Sequence, residues 1–218
     1  MKTNSRLLGT LSLICLVLTV IWLALFVYVT GTDGAIETYE EALQSAGRLG
    51  LLHYVTYGNA TLITVSATML FGGLYVVCRP EAPLWASMGA VFVPIYGLLN
   101  LFAYLSQITV VPRLVALRPA SDLLVAQLIQ AWPNSTVGVV NNLGYAVLGI
   151  PSVIYGVLLG RGEGSLRVGG VFLALSGAAS MVGFLGIVAR SDVLGLGSIV
   201  GGVLFLAALV PLSRTWLR

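Results

Sequence analysis

Charged residues are what this sequence most lacks. They make up 9% of its 218 residues, whereas hydrophobic residues make up 58% and the mean hydropathy is +0.98. Soluble domains carry about 25% charged residues. A soluble domain of this length could not cover its surface with so few charges, so the composition indicates an integral membrane protein.

Histidine and cysteine are nearly absent as well. His53 is the only histidine, and the two cysteines, Cys15 and Cys78, are far apart in hydrophobic segments. A histidine-based metal centre within one chain is therefore excluded, and the cysteines indicate neither a disulfide framework nor a metal site. We expect no cofactor. The net charge of +3 is small and the basic residues are scattered, so nucleic acid is not an expected partner.

Charge is also missing from the cores of the long apolar segments, none of which contains Asp, Glu, Lys or Arg. Proton- or ion-coupled pumps usually depend on such intramembrane charges, so a transporter of that kind is disfavoured. Ser66 and His53 would be about 20 Å apart along one helix, at about 1.5 Å per residue, and cannot form a catalytic dyad there. We therefore expect no enzymatic activity.

Long apolar runs are what the sequence does contain. A membrane-spanning helix needs about 20 such residues. Six segments meet this length: Leu7–Thr30, Leu51–Cys78, Leu84–Val111, Val137–Gly160, Val168–Ala189 and Leu194–Leu212. The first is longer than the apolar core of a signal peptide, about 7–15 residues, so we interpret it as a retained helix. The sequence predicts an all-α, polytopic membrane helix bundle, with residues 1–218 forming one domain of six transmembrane helices.

Basic residues near the helix ends predict the orientation of the bundle. With both termini inside, the inner side holds Lys2, Arg6, Arg79, Arg161, Arg167, Arg214 and Arg218, and the outer side holds Arg48, Arg113, Arg118 and Arg190. The excess lies inside. We therefore expect a multi-pass protein of the cell (cytoplasmic) membrane with cytoplasmic N- and C-termini.

Each of the two longer outer connections is expected to contain a short helix. In the first, Thr32 or Asp33 is predicted to cap a helix rich in glutamate that Gly47 ends. In the second, Ser121 is predicted to cap a helix over Asp122–Trp132, stopped by Pro133. Leu124, Leu128 and Trp132 then fall on one side, as is typical of a helix at the membrane interface.

Polar residues recur along the third segment. Tyr96, Asn100, Tyr104 and Gln107 follow one another at steps of four, four and three, which puts them on one face of a helix. Hydrocarbon offers these groups no hydrogen-bond partner, so the face must meet other protein or a cavity.

The second and fourth segments carry similar stripes. They comprise His53, Tyr57, Thr61, Thr64 and Thr68, and then Asn142, Tyr145, Gly149, Ser152 and Gly156 with Asn141 beside them. The polar starts of both segments lie within roughly 15 Å of the outer end, at the level of the third stripe. The predicted ligand-binding site comprises His53, Tyr57, Asn100, Tyr104, Gln107, Asn141, Asn142 and Tyr145.

This convergence allows several functions. The stripes can line a pocket for a small or lipidic ligand, which Pro94 and Pro151 favour because each frees a carbonyl four residues earlier. They can instead form the path of a permease or channel-like facilitator, or join helices in a purely structural membrane subunit. Proton handling by His53 is a further alternative.

The fifth and sixth segments are rich in small residues. Ser176 and Ser180, Ala179 and Gly183, and Gly197 and Gly201 each stand four positions apart. Such Gly/Ser/Ala faces let helix backbones approach closely. They predict either contacts within the chain or contacts with a second copy or another membrane protein, in addition to the lipid bilayer as a partner.

The order of these features resembles a family. A retained first helix precedes an insert ending in Gly47-Arg48-Leu49-Gly50. A fourth helix starts with Asn141-Asn142-Leu143-Gly144-Tyr145, and a glycine-rich fifth helix and a sixth follow. This layout resembles a family of six-helix bacterial and archaeal membrane proteins known only as a domain of unknown function. The resemblance implies a prokaryotic cytoplasmic membrane protein and implies no activity.

Overall fold

The computed structural model of the chain describes residues 2–34 and 36–217, which are largely helical and contain no strand. The helices are α1 (Lys2–Asp33), α2 (Tyr39–Ala46), α3 (Leu51–Cys78), α4 (Pro83–Thr109), α5 (Val111–Val115), α6 (Asp122–Leu128), α7 (Thr136–Leu159), α8 (Gly164–Val188), α9 (Asp192–Gly195) and α10 (Gly197–Leu217). Six stretches of them are long and apolar enough to cross a membrane. The predicted all-α, six-span polytopic bundle is confirmed.

The six spans lie where the hydrophobic segments predicted them. α3 begins at Leu51 and ends at Cys78, as expected, and the other spans differ by a few residues at their ends. α4 and α7 continue past Pro94 and Pro151, so neither proline ends its helix. Arg218, one of the residues that predicted the orientation, lies outside the described residues.

The first insert differs from the prediction at its start. α1 runs on through Asp33, and the residue that caps α2 is Thr38 rather than Thr32 or Asp33. The Thr38 hydroxyl accepts a hydrogen bond from the Glu41 amide (3.2 Å), and the Glu41 carboxylate accepts one from the Thr38 amide (3.0 Å). This reciprocal pair is a capping box. Gly47 ends the helix, as predicted.

The second insert is shorter than predicted, because α6 ends at Leu128 instead of Trp132. Ser121 precedes it, as predicted, but its hydroxyl donates to the Leu114 carbonyl (2.6 Å) and caps nothing in α6. Trp132 therefore does not share a helix face with Leu124. It is buried instead, with its ring centroid 6.4 Å from that of Tyr39 and its Nε1 donating to the Glu37 carbonyl (3.4 Å).

The chain forms two compact units, each made of separate stretches. The first unit comprises Met1–Val17, Val65–Gly97 and Asn142–Arg218, and the second comprises Leu18–Thr64 and Leu98–Asn141. Several long helices contribute residues to both units. The single domain over residues 1–218 stays a prediction.

In the second unit, the two inserts pack on each other. We use the name insert cluster for α2, α5 and α6 with residues 129–135. Its apolar centre is made of Ala42, Ala46, Val111, Val125, Ala126, Ile129 and Trp132. At its edge, Arg118 pairs with Asp122 and also donates to the Leu43 carbonyl (3.1 Å). The insert cluster is thus a small folded layer with its own core.

In the first unit, glycine allows helix backbones to touch. A Cβ atom placed on Gly149 of α7 would lie 2.6 Å from the Gly177 carbonyl oxygen of α8, and one on Gly156 would lie 2.6 Å from that of Gly170. Any larger residue would push the helices apart. These α7 glycines therefore serve helix packing and are not part of a polar site.

The small-residue faces of the fifth and sixth spans also pack on each other within the first unit. The Ser176 hydroxyl donates to the Gly201 carbonyl across α8 and α10 (2.8 Å), and a Cβ on Gly197 would lie 2.6 Å from the Ala179 carbonyl oxygen. These faces are therefore occupied by contacts within the chain. Association with a second copy or another membrane protein stays a prediction.

Candidate functional site

The polar face of α4 is buried in the second unit from Asn100 onward. Asn100 and Gln107 have no exposed surface, and Tyr104 is 3% exposed. Four-residue and three-residue steps bring the three side chains to one side of the helix, as predicted. What they contact decides whether this face is an open site or a closed one.

Gln107 uses both ends of its amide on main-chain groups. Its Nε2 donates to the Leu128 carbonyl (2.7 Å) and its Oε1 accepts from the Gln130 amide (3.2 Å). Leu128 is the last residue of α6, and the final carbonyls of a helix have no partner within it. The Gln107 side chain thus satisfies the backbone where α6 ends, and it ties the third span to the insert cluster.

A chain of amide side chains continues from this point. Gln130 Nε2 donates to Asn141 Oδ1 (2.9 Å), and Asn141 Nδ2 donates to Asn100 Oδ1 (2.6 Å). We use the name amide chain for Asn100, Asn141, Gln130 and Gln107, all in the second unit. Asn141 lies near the start of α7, so the amide chain connects two spans and the insert cluster.

Gln130 is the member of the amide chain that the sequence prediction missed. It was predicted to lie in a helix over Asp122–Trp132, where it would have been one polar residue on an interfacial surface. Since α6 ends at Leu128, Gln130 stands in a turn next to the buried Ile129. The sequence offered one signal for Gln130: a long amide side chain that follows the apolar Ile129 and precedes Pro133 by three positions.

His53 joins the other side of Gln107. Its Nε2 lies 2.9 Å from the Gln107 carbonyl oxygen, near the end of α4 where carbonyls lack helical partners. Because a carbonyl oxygen only accepts, Nε2 must carry the proton. The ring of Tyr57 lies 4.8 Å from that of His53 and 6.4 Å from that of Tyr104, measured between centroids. The three rings form an aromatic side beside the amide chain, in which His53 and Tyr57 are half-buried and Tyr104 is buried.

The structure thus brings six of the eight predicted site residues into one unit: His53, Tyr57, Asn100, Tyr104, Gln107 and Asn141. Asn142 and Tyr145 belong to the first unit, where the ring of Tyr145 lies 6.3 Å from that of Tyr96. Tyr96, the first residue of the third stripe, is therefore also part of the first unit.

Two threonine hydroxyls of the predicted α3 stripe donate within their own helix. Thr61 donates to the Tyr57 carbonyl (2.8 Å) and Thr64 donates to the Ala60 carbonyl (3.0 Å). Their spacing suggested a continuous polar stripe, but threonine in a helix can return its hydroxyl to the preceding turn. By contrast, Asn59, which the stripe omitted, is buried and donates to the Leu18 carbonyl of α1 (3.0 Å).

Two cavities described in the first unit have volumes of about 400 and 380 Å³, and neither is lined by a residue of the amide chain. The members of the amide chain are hydrogen-bonded to one another, and Gln107 also donates to the Leu128 carbonyl. All of these groups are neutral hydrogen-bonding groups. Their bonds connect the third span to the fourth span and to the insert cluster.

The fold and this site define a class: an all-helical, multi-pass membrane protein of six spans, with a polar connection between two spans and a folded insert cluster. Comparisons with protein-family models, curated proteins and solved structures found no match. The resemblance to the six-helix family of unknown function therefore stays a prediction.

Proposed function

We propose that this protein is a non-enzymatic structural protein of the cytoplasmic membrane, and that its amide chain is a lock. The lock holds the third and fourth spans together and fastens the insert cluster to them. The observation that carries this proposal is a continuous run of hydrogen bonds. Asn100 bonds to Asn141 and Asn141 to Gln130 through their side chains, and the Gln130 main-chain N–H donates to the Gln107 side chain. We further propose that both termini are cytoplasmic, so that the insert cluster faces outward.

The energetics favour a lock of modest strength. Hydrogen bonds between membrane helices contribute about 0.6 kcal/mol on average and up to about 1.7 kcal/mol. One such bond contributes little to the free energy of unfolding, but the amide chain joins three separate elements through several bonds. Opening it would leave buried amides without partners, which costs about 1–3 kcal/mol for each group. A closed arrangement is therefore the stable one.

Leucine substitutions test the lock. Asn100→Leu and Asn141→Leu keep a similar shape and remove the bond between the two amides. We expect each to lower the free energy of unfolding by about 1–3 kcal/mol, because the remaining partner becomes unsatisfied. The double variant should lose less than the sum of the two, because the second substitution removes the orphaned partner. Reversible unfolding in mixed micelles measures all three.

Thr61→Val is the matched control, because the Thr61 hydroxyl bonds only within its own helix. It should combine additively with Asn100→Leu. Leucine variants that are neutral or more stable would contradict the lock, since residues kept for ligand binding are commonly replaced at no loss of stability. Strict additivity between Asn100→Leu and Asn141→Leu would contradict it as well.

The second candidate is binding of a small or lipidic ligand, and the aromatic side favours it. His53 and Tyr57 are half-buried rather than buried, so a ligand can approach them without opening the amide chain. Such a ligand would raise the melting temperature of wild-type protein but not of Tyr57→Leu. Gln107→Leu should keep that rise if the ligand stays on the aromatic side. It should lose the rise if the ligand displaces the amide bonds.

A further inference from the structure

A groove opens between α1 and α3 in the first unit. It has a volume of about 380 Å³, within the range of ligand pockets, and its walls include Leu7, Leu11, Met69 and Val77. All of its lining residues are apolar or glycine. We use the name α1–α3 groove for it.

Two adjacent glycines give the groove its shape. A Cβ on Gly73 would collide with the Leu8 side chain, so α1 rests on α3 at this point. A Cβ on Gly72 would meet nothing within 4 Å, so the neighbouring position is left open. Both helices are membrane spans, and the medium around them is hydrocarbon. The natural occupant of such a groove is the acyl chain of a lipid.

A second cavity of about 400 Å³ adjoins this groove, because Val76 lines both. Its lining includes Arg79, Pro80 and Pro83, where α3 ends and α4 begins. The Arg79 guanidinium lies 5.8 Å from the centroid of the Tyr75 ring, a cation–π contact that holds it at the cavity wall. The apolar groove thus leads to a cationic end.

Among the described residues, no ion pair neutralises the positive charge of Arg79. Within residues 2–34 and 36–217 no carboxylate forms an ion pair with Arg79, even though Glu81 follows it closely in sequence. Arg6 directly precedes Leu7, which lines the groove, so the start of α1 carries a second cation. Arginine is well suited to bind phosphate because its planar fork of N–H donors matches phosphate oxygens.

We propose that the α1–α3 groove and the Arg79 cavity form one binding site for an anionic phospholipid. One acyl chain lies along Gly72 and Val76, and the phosphate is bound by Arg79 with Arg6 beside it. Among the described residues, Arg79 and Arg6 carry two positive charges against the one negative charge of Glu81 close by in sequence. This balance favours a headgroup with net negative charge over a zwitterionic one. This site shares no residue with the amide chain, so it stands independently of the lock.

The test is lipid binding to the purified full chain in detergent micelles, followed by native mass spectrometry. Phosphatidylglycerol and phosphatidylcholine with identical acyl chains are the two probes, and glycerol 3-phosphate is a third. We expect wild type to bind phosphatidylglycerol at least about fivefold more tightly than phosphatidylcholine, because only phosphatidylglycerol has a net negative charge and each basic residue near an anionic lipid contributes about that factor. Glycerol 3-phosphate should not compete.

Two substitutions separate the parts of the site, each with a matched control. Arg79→Gln should weaken phosphatidylglycerol binding about fivefold and phosphatidylcholine binding less, because choline already offsets the phosphate charge, whereas Arg161→Gln, on the same predicted side of the membrane, should change neither. Gly72→Leu should weaken both lipids by filling the groove. Gly202→Leu should weaken neither, since Gly202 is also an exposed helical glycine with nothing within 4 Å of its Cβ position.

Equal binding of the two lipids by wild type would overturn the proposal, as would undiminished phosphatidylglycerol binding by Arg79→Gln. Undiminished lipid binding by Gly72→Leu would show that the acyl chain lies elsewhere. Effective competition by glycerol 3-phosphate would show that a free phosphate, rather than a lipid, is the ligand. Because Arg79 is exposed, we expect Arg79→Gln to fold. The test therefore remains decisive even if Gly72→Leu does not fold.

Discussion

At the scale of single residues, Gln107 shows why an amide stands inside this membrane protein. A main-chain carbonyl and a main-chain N–H need one donor and one acceptor at the same place, and the glutamine amide offers both. A glutamate there would present only acceptors and a buried charge. The residue type is thus set by the backbone that ends α6 and need not be set by a ligand.

Glu41 provides a prediction about pH. Hydrogen bonds from the Glu37 and Thr38 amides hold the pKa of its carboxyl below the usual value. A lowered pKa means that the ionised form stabilises α2 at pH values above the usual pKa of glutamate, about 4.3, and that this contribution is lost as the pH falls through the lowered pKa. Amide hydrogen exchange in α2 should therefore accelerate in that acidic range.

Glu41→Gln is the appropriate comparison, because its side-chain oxygen still accepts from Thr38 but does not titrate. Exchange in that variant, corrected for the intrinsic effect of pH, should show no acidic step. Glu40→Gln should keep the step, since Glu41 alone makes the capping bonds. A step that survives in Glu41→Gln would assign the acid sensitivity to another group.

At the scale of helices, the contact between α7 and α8 depends on the absence of side chains. Gly156→Ala would place a Cβ against the backbone of Gly170 and Ala174, which cannot move as a flexible side chain can. We expect a loss of about 1–3 kcal/mol in the free energy of unfolding, as is typical of overpacking. Thermal unfolding in detergent, followed by size-exclusion chromatography, measures it.

Gly202→Ala is the control for helix propensity, because its Cβ would meet nothing within 4 Å. It should raise the free energy of unfolding by about 0.5–1 kcal/mol, the gain in helix propensity from glycine to alanine. If both alanine variants behave alike, α7 and α8 do not depend on close backbone contact at Gly156. A loss confined to Gly156→Ala supports close backbone packing as the purpose of these glycines.

The short length of α6 also belongs to this scale. The sequence favoured a helix up to Pro133, since nothing between Leu128 and Trp132 forbids helical geometry. In the structure, Gln107 binds the Leu128 carbonyl and the Gln130 amide, and Trp132 is buried near Tyr39. Tertiary partners thus compete with the last turn of the helix. Local propensity alone cannot report that competition.

At the scale of the whole molecule, the distribution of basic residues predicts topology. At the C-terminus, we expect activity from a reporter that works in the cytoplasm and none from a reporter that works outside. At Gly34, between α1 and α2, we expect the reverse. Paired phosphatase and fluorescent reporters in whole cells measure this. The control is an insertion at Gly162, between α7 and α8, which should match the C-terminal fusion. An active external phosphatase at the C-terminus would reverse the orientation.

Much of the fold was predictable because a bilayer imposes strict rules on sequence. Length and apolarity fixed the six spans, and the steps of four and three selected the buried face of α4. Prediction was weaker where no membrane rule applies. The cap at Thr38 rather than Thr32 or Asp33, and the end of α6, depend on short-range choices between several competent residues.

The sequence by itself determined that this is a six-span helical membrane protein with neutral polar residues on the third span, since uncharged apolar runs of that length have no other stable solution. Only the tertiary structure decided what those residues contact. It bonded Asn100 to Asn141 and Gln107 directly to the end of α6, and it joined Asn141 to Gln107 through a glutamine, Gln130, that no periodicity singled out. Hydrogen bonds between distant segments form only between atoms that the packed helices bring close together. The spacing of residues along the sequence does not show which atoms these are.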